Sequence, residues 1–329
     1  YKRQDYRSDI TLPIDDFFKF DKKALVSATP IELNDPRFKE QNFQTIEIQP
    51  TFDYKKEIWL HHTNNTLQAF KNVLSKLNNE EAAPLPICVF INSTDIIYSL
   101  MKQLDLLEES AVFCAPKSVD KLKKNRFCNV YEQWNKDKMK RYNFFTSRFF
   151  NAVDMELEEQ PHVIMLTDVY FAEHTMIDPY TDAIQIVGRF RNGVSSITYI
   201  SNTKKGLPQR SKEEIKGYLI CSKEIYRTMK NFYDCATDRA SRDAYRAALE
   251  SLPFNRMLDR NGNKNWFAID NYMDEELMKN YFHDEDSLYK AYDNCDSFIV
   301  YHAGHYCPLG DSERLKRENK SQSIKDKRK

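Results

Sequence analysis

Glycine is scarce in this sequence, with seven residues in 329. None of the seven precedes a lysine, so the Gly-x-x-x-x-Gly-Lys-Ser/Thr loop is absent, and with it a tight triphosphate site of that kind. The seven cysteines, at 88, 114, 128, 221, 235, 295 and 307, contain no Cys-x-x-Cys pair. They read as reduced thiols of a cytoplasmic protein, not as a disulfide or zinc framework. No apolar run reaches about 18 residues, and the first thirty or so lack a charged-then-apolar signal, so neither membrane span nor secretion is supported. Net charge is missing too. The 49 basic and 49 acidic side chains cancel, and any polyanionic partner has to be held by local basic patches.

What the chain has is aromatic residues, at 13%, and charge, at 30%. That composition suits globular structure, and the length suffices for two domains. The first residue is Tyr1; without an initiator methionine, the chain is expected to be a piece of a longer protein or a processed one.

Short runs rich in Val, Ile and Phe recur through the first two hundred or so residues. They are "KALVSATP" (23–30), "TIEIQP" (45–50), "PICVFINS" (86–93), "SAVFCAP" (110–116), "YNFFTS" (142–147), "HVIMLTD" (162–168) and "SITYIS" (196–201). Apolar runs without alternation predict strands covered on both faces, hence a mostly parallel α/β sheet. Helices lie between them. Ser93 or Thr94 can cap "DIIYSLMKQLDLL", and Asp178 followed by Pro179 opens a helix that ends near Asn192-Gly193. Past about residue 203 the strand pattern stops. Ser211 and Glu214 make a capping box before a long amphipathic stretch, and "DRASRDAYRAALESL" is a second helix halted by Pro253. Asn261-Gly262 predicts a hairpin within 253–270, with Trp266 or Phe267 as a strand-separating pin or as the core of a small unit. "DEELMKNYF" is a further helix. The expected organisation is a first segment over 1–40, an α/β domain over 41–205, a mainly α-helical accessory domain over 206–310, and a basic tail over 311–329 that reads as disordered.

Three polar segments at strand ends belong together: "VSATP" with Ser27 and Thr29, "FFTSRFFNAVD" with Thr146 and Asp154, and "QIVGRFR" with Gln185, Gly188, Arg189 and Arg191. In an open α/β sheet, ligands bind beyond the carboxyl ends of strands. Gln185 and Arg189 share one helical face, and Gly188 lets a ligand or backbone come close. A planar multi-donor guanidinium there suits a polyphosphate. The plainer reading of Arg189 and Arg191 is a solvated helix end at which cations meet the macrodipole.

The ordered set "SAT", "CVFIN", "TSRFFNAVD" and "QIVGRFR" resembles motifs III to VI of superfamily 2 helicases, of the DEAD/DEAH-like kind, over roughly residues 24 to 200. The resemblance implies a RecA-like parallel sheet with helices on both faces, preceded over 1–40 by a remnant of a first RecA-like domain and its linker. It implies the C-terminal half of an ATP-dependent nucleic-acid helicase, inactive in isolation, with ATP and Mg2+ bound only when an N-terminal RecA-like domain is present. Ser27, Thr29, Asp154 and Gly188 would couple strand binding to hydrolysis. Gln185 would face the nucleotide, and Arg189, with Arg191, would supply the arginine finger. Asn92, Thr146, Ser147 and Arg148 would touch a single strand, DNA in preference to RNA. Two positions depart from the family pattern: Asn192 stands where the final arginine belongs, and Ala152 replaces the usual glycine before Val153-Asp154. The rival reading is a non-catalytic binding module with a degenerate RecA-like fold.

Residues 117–141 hold nine Lys/Arg against three acids, with Phe127, Tyr131 and Trp134 interleaved. They make either a strand-tracking surface, with Lys121, Lys123, Lys124 and Arg126 on phosphates, or a charged helix face beside a half-buried strand. "HAGHYC" (302–307) with Cys295 and His283 matches no regular zinc spacing, so no metal is expected. His61-His62 has no visible partner and receives no role.

Overall fold

The apolar runs become strands only where a neighbour is present to pair with them. The structure, a computed structural model, describes residues 14–29, 32–80, 84–151, 153–259 and 261–316. Among these, the strands are β1 Lys56–Thr63, β2 Ile87–Phe90, β3 Ser110–Phe113, β4 Val130–Tyr131, β5 Tyr142–Phe145, β6 His162–Thr167, β7 Ser196–Ser201 and β8 Phe298–His305. They form one sheet in the order β4-β3-β5-β2-β6-β7-β1-β8, with every pairing parallel. The helices are α1 Thr66–Glu80, α2 Thr94–Gln103, α3 Pro116–Lys124, α4 Ile184–Gly188, α5 Lys212–Cys235, α6 Arg239–Ser251, α7 Trp266–Met278 and α8 Glu285–Asp293. The expected parallel α/β sheet followed by helices is what the chain forms.

Parallel strands require crossovers, and right-handed crossovers put α1, α2 and α3 on one face and the returning segments on the other. The side chains agree. On the first face Val89, Val112, Phe144, Ile164 and Ile200 pack against Phe70, Ile97, Met101 and Leu122 of those helices. On the second face Phe113, Phe145 and Phe90 stack in a row across β3, β5 and β2, with ring centroids 4.9 and 5.0 Å apart. Each such ring contributes ~2 kcal/mol or more by burial. β2, β3, β5 and β6 are therefore buried along their whole length, which is why they read as unbroken apolar runs.

Two expected strands do not form. In "KALVSATP" Val26 is 96% exposed, and in "TIEIQP" Ile48 is 88% exposed; among the described residues no strand forms in either segment. β-propensity describes fit to a pleated surface beside another strand, and among the described residues neither segment has one. Two strands form that the sequence reading does not expect. β1 and β8 pair in register over eight positions, from Lys56↔Phe298 to Thr63↔His305. The strand pattern thus resumes after residue 203, and β8 returns to the sheet from within the stretch read as helical.

The chain divides into two compact units, 1–48 with 208–280, and 49–207 with 281–329. The first contains a cluster of Phe17, Phe18, Phe38 and Phe43 and a core of Ile215, Leu219, Phe254, Met257 and Met273 from α5, α7 and the turn between α6 and α7. The expected capping box closes at α5, where Ser211 accepts from the Glu214 amide and Glu214 accepts from the Ser211 amide. The expected hairpin shrinks to one antiparallel bridge, Leu258↔Lys264. Asp259 accepts from the amides of Asn261 and Asn263, and Asn265 caps α7, so Trp266 and Phe267 start a helix. Of the tail read as disordered, residues 311–316 are helical and 317–329 lie outside the described residues.

His61 and His62 find partners once β8 lies beside β1. His61 Nδ1 and His305 Nε2 are 2.7 Å apart with their rings stacked, and His62 hydrogen-bonds to Thr203 and Tyr306 at 3.0 Å each. Burial first, then the neighbouring His305 and Lys76, push His61 down to about 4. Burial pushes His62 down as well, although Glu285 opposes it. An unfolded histidine titrates near ~6.5, so the unfolded chain takes up protons first as pH falls. The contribution of His61 to the stability of the sheet unit is therefore fully present above about pH 6.5 and is lost on descent towards pH 4, by on the order of 2 kcal/mol after allowing for solvent screening. Urea midpoints measured across this range should show the loss, and His61→Gln should flatten it. An unchanged slope in that variant contradicts the assignment.

Candidate functional site

Residues 146–161 leave β5 at its carboxyl end and must return to the amino end of β6, and 168–195 do the same between β6 and β7. Both segments recross one face of the sheet, above the phenylalanine row. Phe150 and Phe190 descend from these segments onto Phe90, at centroid distances of 5.9 and 6.0 Å, with Phe190 edge-on at 90°. One backbone bridge, Met155↔Phe190, joins the two segments directly. Phe190 stands between Arg189 and Arg191, so anchoring its ring to Phe90 directs the two guanidinium groups away from the core. This aromatic anchoring was readable as "RFR" and "RFF" but is not assigned in the sequence reading.

Asp178 caps the helical segment carrying the motif, accepting from the Tyr180 amide. The first turn, Pro179–Ala183, is a π-turn, with Ala183 N–H donating to Asp178 C=O at 2.9 Å, and regular α4 follows. Four expected site residues meet at its end. Arg189 donates to the Gln185 carbonyl at 3.0 Å and to Gln185 Oε1 at 2.9 Å. Its third nitrogen lies 3.4 Å from Asp154 Oδ1, and Arg191 donates to that same oxygen at 2.8 Å. Arg189 is largely covered, with 15% of its side chain exposed, against 50% for Arg191 and 52% for Asp154. Burial lowers the Arg189 pKa, Asp154 opposes that, and Arg191 adds to it; a guanidinium stays charged throughout.

Gly188 is exposed, and a Cβ built there would meet nothing within 4 Å. The open space is at Gly188; Arg189 itself is covered by Gln185 and Asp154. A shallow depression of about 320 Å³ is lined by Gly188 and Arg191 together with Ile184, Val187, Phe298, Tyr54 and Lys56; Arg189 is not part of its lining.

Asn192, at the position of the family's last arginine, is used otherwise. Its amide donates to the Leu157 carbonyl at 2.7 Å, and Gln160 donates to the Asn192 carbonyl at 2.9 Å. Gly193 follows with φ of +89°, a conformation that suits glycine. Asn192 therefore fastens the loop that carries Asp154. Ala152 lies outside the described residues.

The remaining expected residues are distributed more widely. Thr146 is buried, Ser147 is half-buried and Arg148 is exposed, on the 3₁₀ turn that ends in the anchor Phe149–Phe150. Asn92 is buried and donates to the His174 carbonyl at 3.0 Å. Lys121, Lys123 and Lys124 lie on the last turn of α3, where Lys121 pairs with Asp95 at 2.6 Å. Arg126 adopts φ of +63° just beyond. Phe127 is core, and Tyr131 packs on Phe113, so neither ring is a free stacking platform. Ser27 and Thr29 belong to the other compact unit; Ser27 is exposed and its hydroxyl accepts from the Thr29 amide at 3.1 Å. Among the described residues no group of three His, Cys, Asp or Glu could hold a metal ion, and no helix is long and apolar enough to cross a membrane.

No family model and no curated protein matches the sequence. Among solved structures the chain is similar to one described as the C-terminal domain of the DEAD-box protein Dbp5, at 13% identity, with 46% of this chain and 77% of that one covered and a TM-score of 0.28. A likeness at that score adds nothing to the reading of the site.

Proposed function

We propose that this protein supplies the arginine side of an ATP site in a nucleic-acid helicase or translocase. The observation that supports this best is the meeting of Arg189 and Arg191 at Asp154, with Gln185 bonded to Arg189 and open space at Gly188. Two neighbouring cations beside a buried aromatic anchor, Arg191 lining an open depression and Arg189 braced behind it, suit a ligand with spread negative charge, and the γ-phosphate of ATP is such a ligand. The sequence has no Gly-Lys-Ser/Thr loop, so the phosphate cradle and the Mg2+ ligands come from another domain, the N-terminal RecA-like domain of the helicase reading. Closure of the two domains on ATP brings Arg189 to the γ-phosphate, where it stabilises the charge that develops during transfer to water. Reopening after hydrolysis shifts the grip on one strand, DNA in preference to RNA. Arg148 is the exposed member of the proposed strand-contacting set, and Lys123 and Lys124 extend it.

Gly188 provides a test that separates this reading from a purely structural one. Gly188→Ala replaces an exposed helical glycine with the best helix former, so the fold is expected to gain ~0.5 kcal/mol or stay level. Hydrolysis in the presence of the partner domain is expected to fall about tenfold, because the added methyl enters the ligand's space. Thermal midpoint and ATP turnover, measured on the same preparation, check both halves. Unchanged turnover contradicts the placement of the nucleotide.

The second reading, a binding module without turnover, draws on Asn192, whose amide fastens a loop where the family has a cation. Nucleic-acid binding with no ATP hydrolysis beside any phosphate-cradle domain is its signature.

A further inference from the structure

We propose that Asp154 is a displaceable stand-in for phosphate, holding Arg189 and Arg191 in their receiving geometry until a polyphosphate takes its place. The inference rests on the proposed ATP site and adds how the empty site is kept ready.

The geometry has three parts. One oxygen, Asp154 Oδ1, serves both cations, at 2.8 Å from Arg191 and 3.4 Å from Arg189. A single carboxylate oxygen between two guanidinium groups occupies the place a phosphate oxygen takes in a bidentate clamp. Asp154 is itself held, because Met155 bridges to Phe190 and Asn192 bonds to Leu157, three residues past Asp154. Arg189 is braced from behind by Gln185 through two hydrogen bonds. The clamp therefore keeps its shape whichever anion is in it.

The magnitudes favour exchange. Asp154 and Arg191 are both about half exposed, and ion pairs of that kind contribute about 1 kcal/mol at most. A polyphosphate brings several charges and more acceptor oxygens to the same two cations, so it displaces the carboxylate. Without Asp154 the two like charges would repel, and the half-exposed Arg191 would wander. The carboxylate thus lowers affinity for the anion slightly while fixing the geometry that receives it.

The test uses inorganic tripolyphosphate, which needs neither a partner domain nor turnover, titrated calorimetrically into the chain at low ionic strength. Asp154→Asn keeps the shape and removes the competing charge, and it is expected to tighten binding about fivefold, equivalent to about 1 kcal/mol. Glu156→Gln removes an equal charge two residues away from a side chain that is exposed; it is expected to change binding less than twofold. Arg189→Ala and Arg191→Ala should each weaken binding. Equal gains in Asp154→Asn and Glu156→Gln would reduce the effect to net charge and overturn the proposal. So would no gain in Asp154→Asn, or no binding by any variant. If Asp154→Asn tightens tripolyphosphate binding but no phosphate-cradle domain elicits ATP turnover, the stand-in role stands and the motor reading fails.

Discussion

Arg189→Ala is expected to lower nucleic-acid-stimulated ATP hydrolysis on the order of 10³-fold, the range seen when an arginine finger is removed from a phosphoryl-transfer site. The side chain is the one most tightly built into the site: two bonds to Gln185, a third contact to Asp154, and little exposure. Binding of a single strand should stay within about twofold, because none of the proposed strand contacts touches Arg189. A cation positioned by so many partners does little for the fold beyond that helix end, so stability should change by about 1 kcal/mol or less. Turnover and strand affinity, measured in the presence of the phosphate-cradle domain, separate the outcomes. Equal loss of both means that Arg189 holds the domain together and is no finger. Arg191→Ala, on a half-exposed side chain, should cost less than Arg189→Ala.

The largest effect on stability is expected at Asn202, just past β7. One amide nitrogen of Asn202 donates to Asp168 at 2.8 Å and to Asp311 at 2.9 Å, while its carbonyl accepts from the Val169 amide at 2.8 Å. Both carboxylates are buried, at 1% and 0% exposure. Arg314 bonds Asp311 at 2.9 Å and reaches Asp168 at 3.6 Å, and the Thr66 amide donates to Asp311 at 2.8 Å. This network ties β6, β7, the start of α1 and the helical residues 311–316 together. Asn202→Ala leaves the Val169 amide without its acceptor and two buried carboxylates without their shared donor. The expected cost is about 3 kcal/mol, or a fall of roughly 6–12 °C in the melting of the sheet unit. Burial, then Asp311, already pushes the Asp168 pKa up, while the Asn202 bond pulls it down. Removing Asn202 therefore raises it further, and a group whose folded pKa is raised regains stability as pH falls through it. The penalty should accordingly be smaller in acid than at neutral pH. A loss under about 1 kcal/mol, or one that grows in acid, contradicts this account of the network.

The contrast between these sites reflects what a sequence can carry. β2, β3, β5, β6 and β7 were legible because burial on both faces leaves only apolar residues in the run. α2, α4's leading turn and α5 were legible because a cap is a local signal: Ser93, Asp178 with Pro179, and Ser211 with Glu214 act within four residues. β1 and β8 were not, since each is recognisable only beside the other, more than two hundred residues away. The face that carries Glu57, Trp59, His61, Tyr301 and His305 is half-exposed and breaks the apolar run with polar residues. The same distance hid the partners of His61 and His62, and it hid Asp311 and Arg314 in a tail that composition alone marks as solvated. In the site, the motif spacing gave Gln185 and Arg189 a common face. The convergence of Arg191 on Asp154, and the use of Asn192 as a fastener, depend on a loop folding back across the sheet, which no spacing encodes. "KALVSATP" and "TIEIQP" show the converse: strand-like composition without a neighbouring strand does not make one.

The measurement that bears most directly on the proposed function is ATP hydrolysis by this chain, with and without single-stranded DNA, and with and without a domain carrying a Gly-Lys-Ser/Thr loop. The account predicts background turnover for the chain by itself and DNA-stimulated turnover only when that domain is present. DNA-stimulated hydrolysis by the chain alone, or none in the presence of the domain that completes the site, would contradict it.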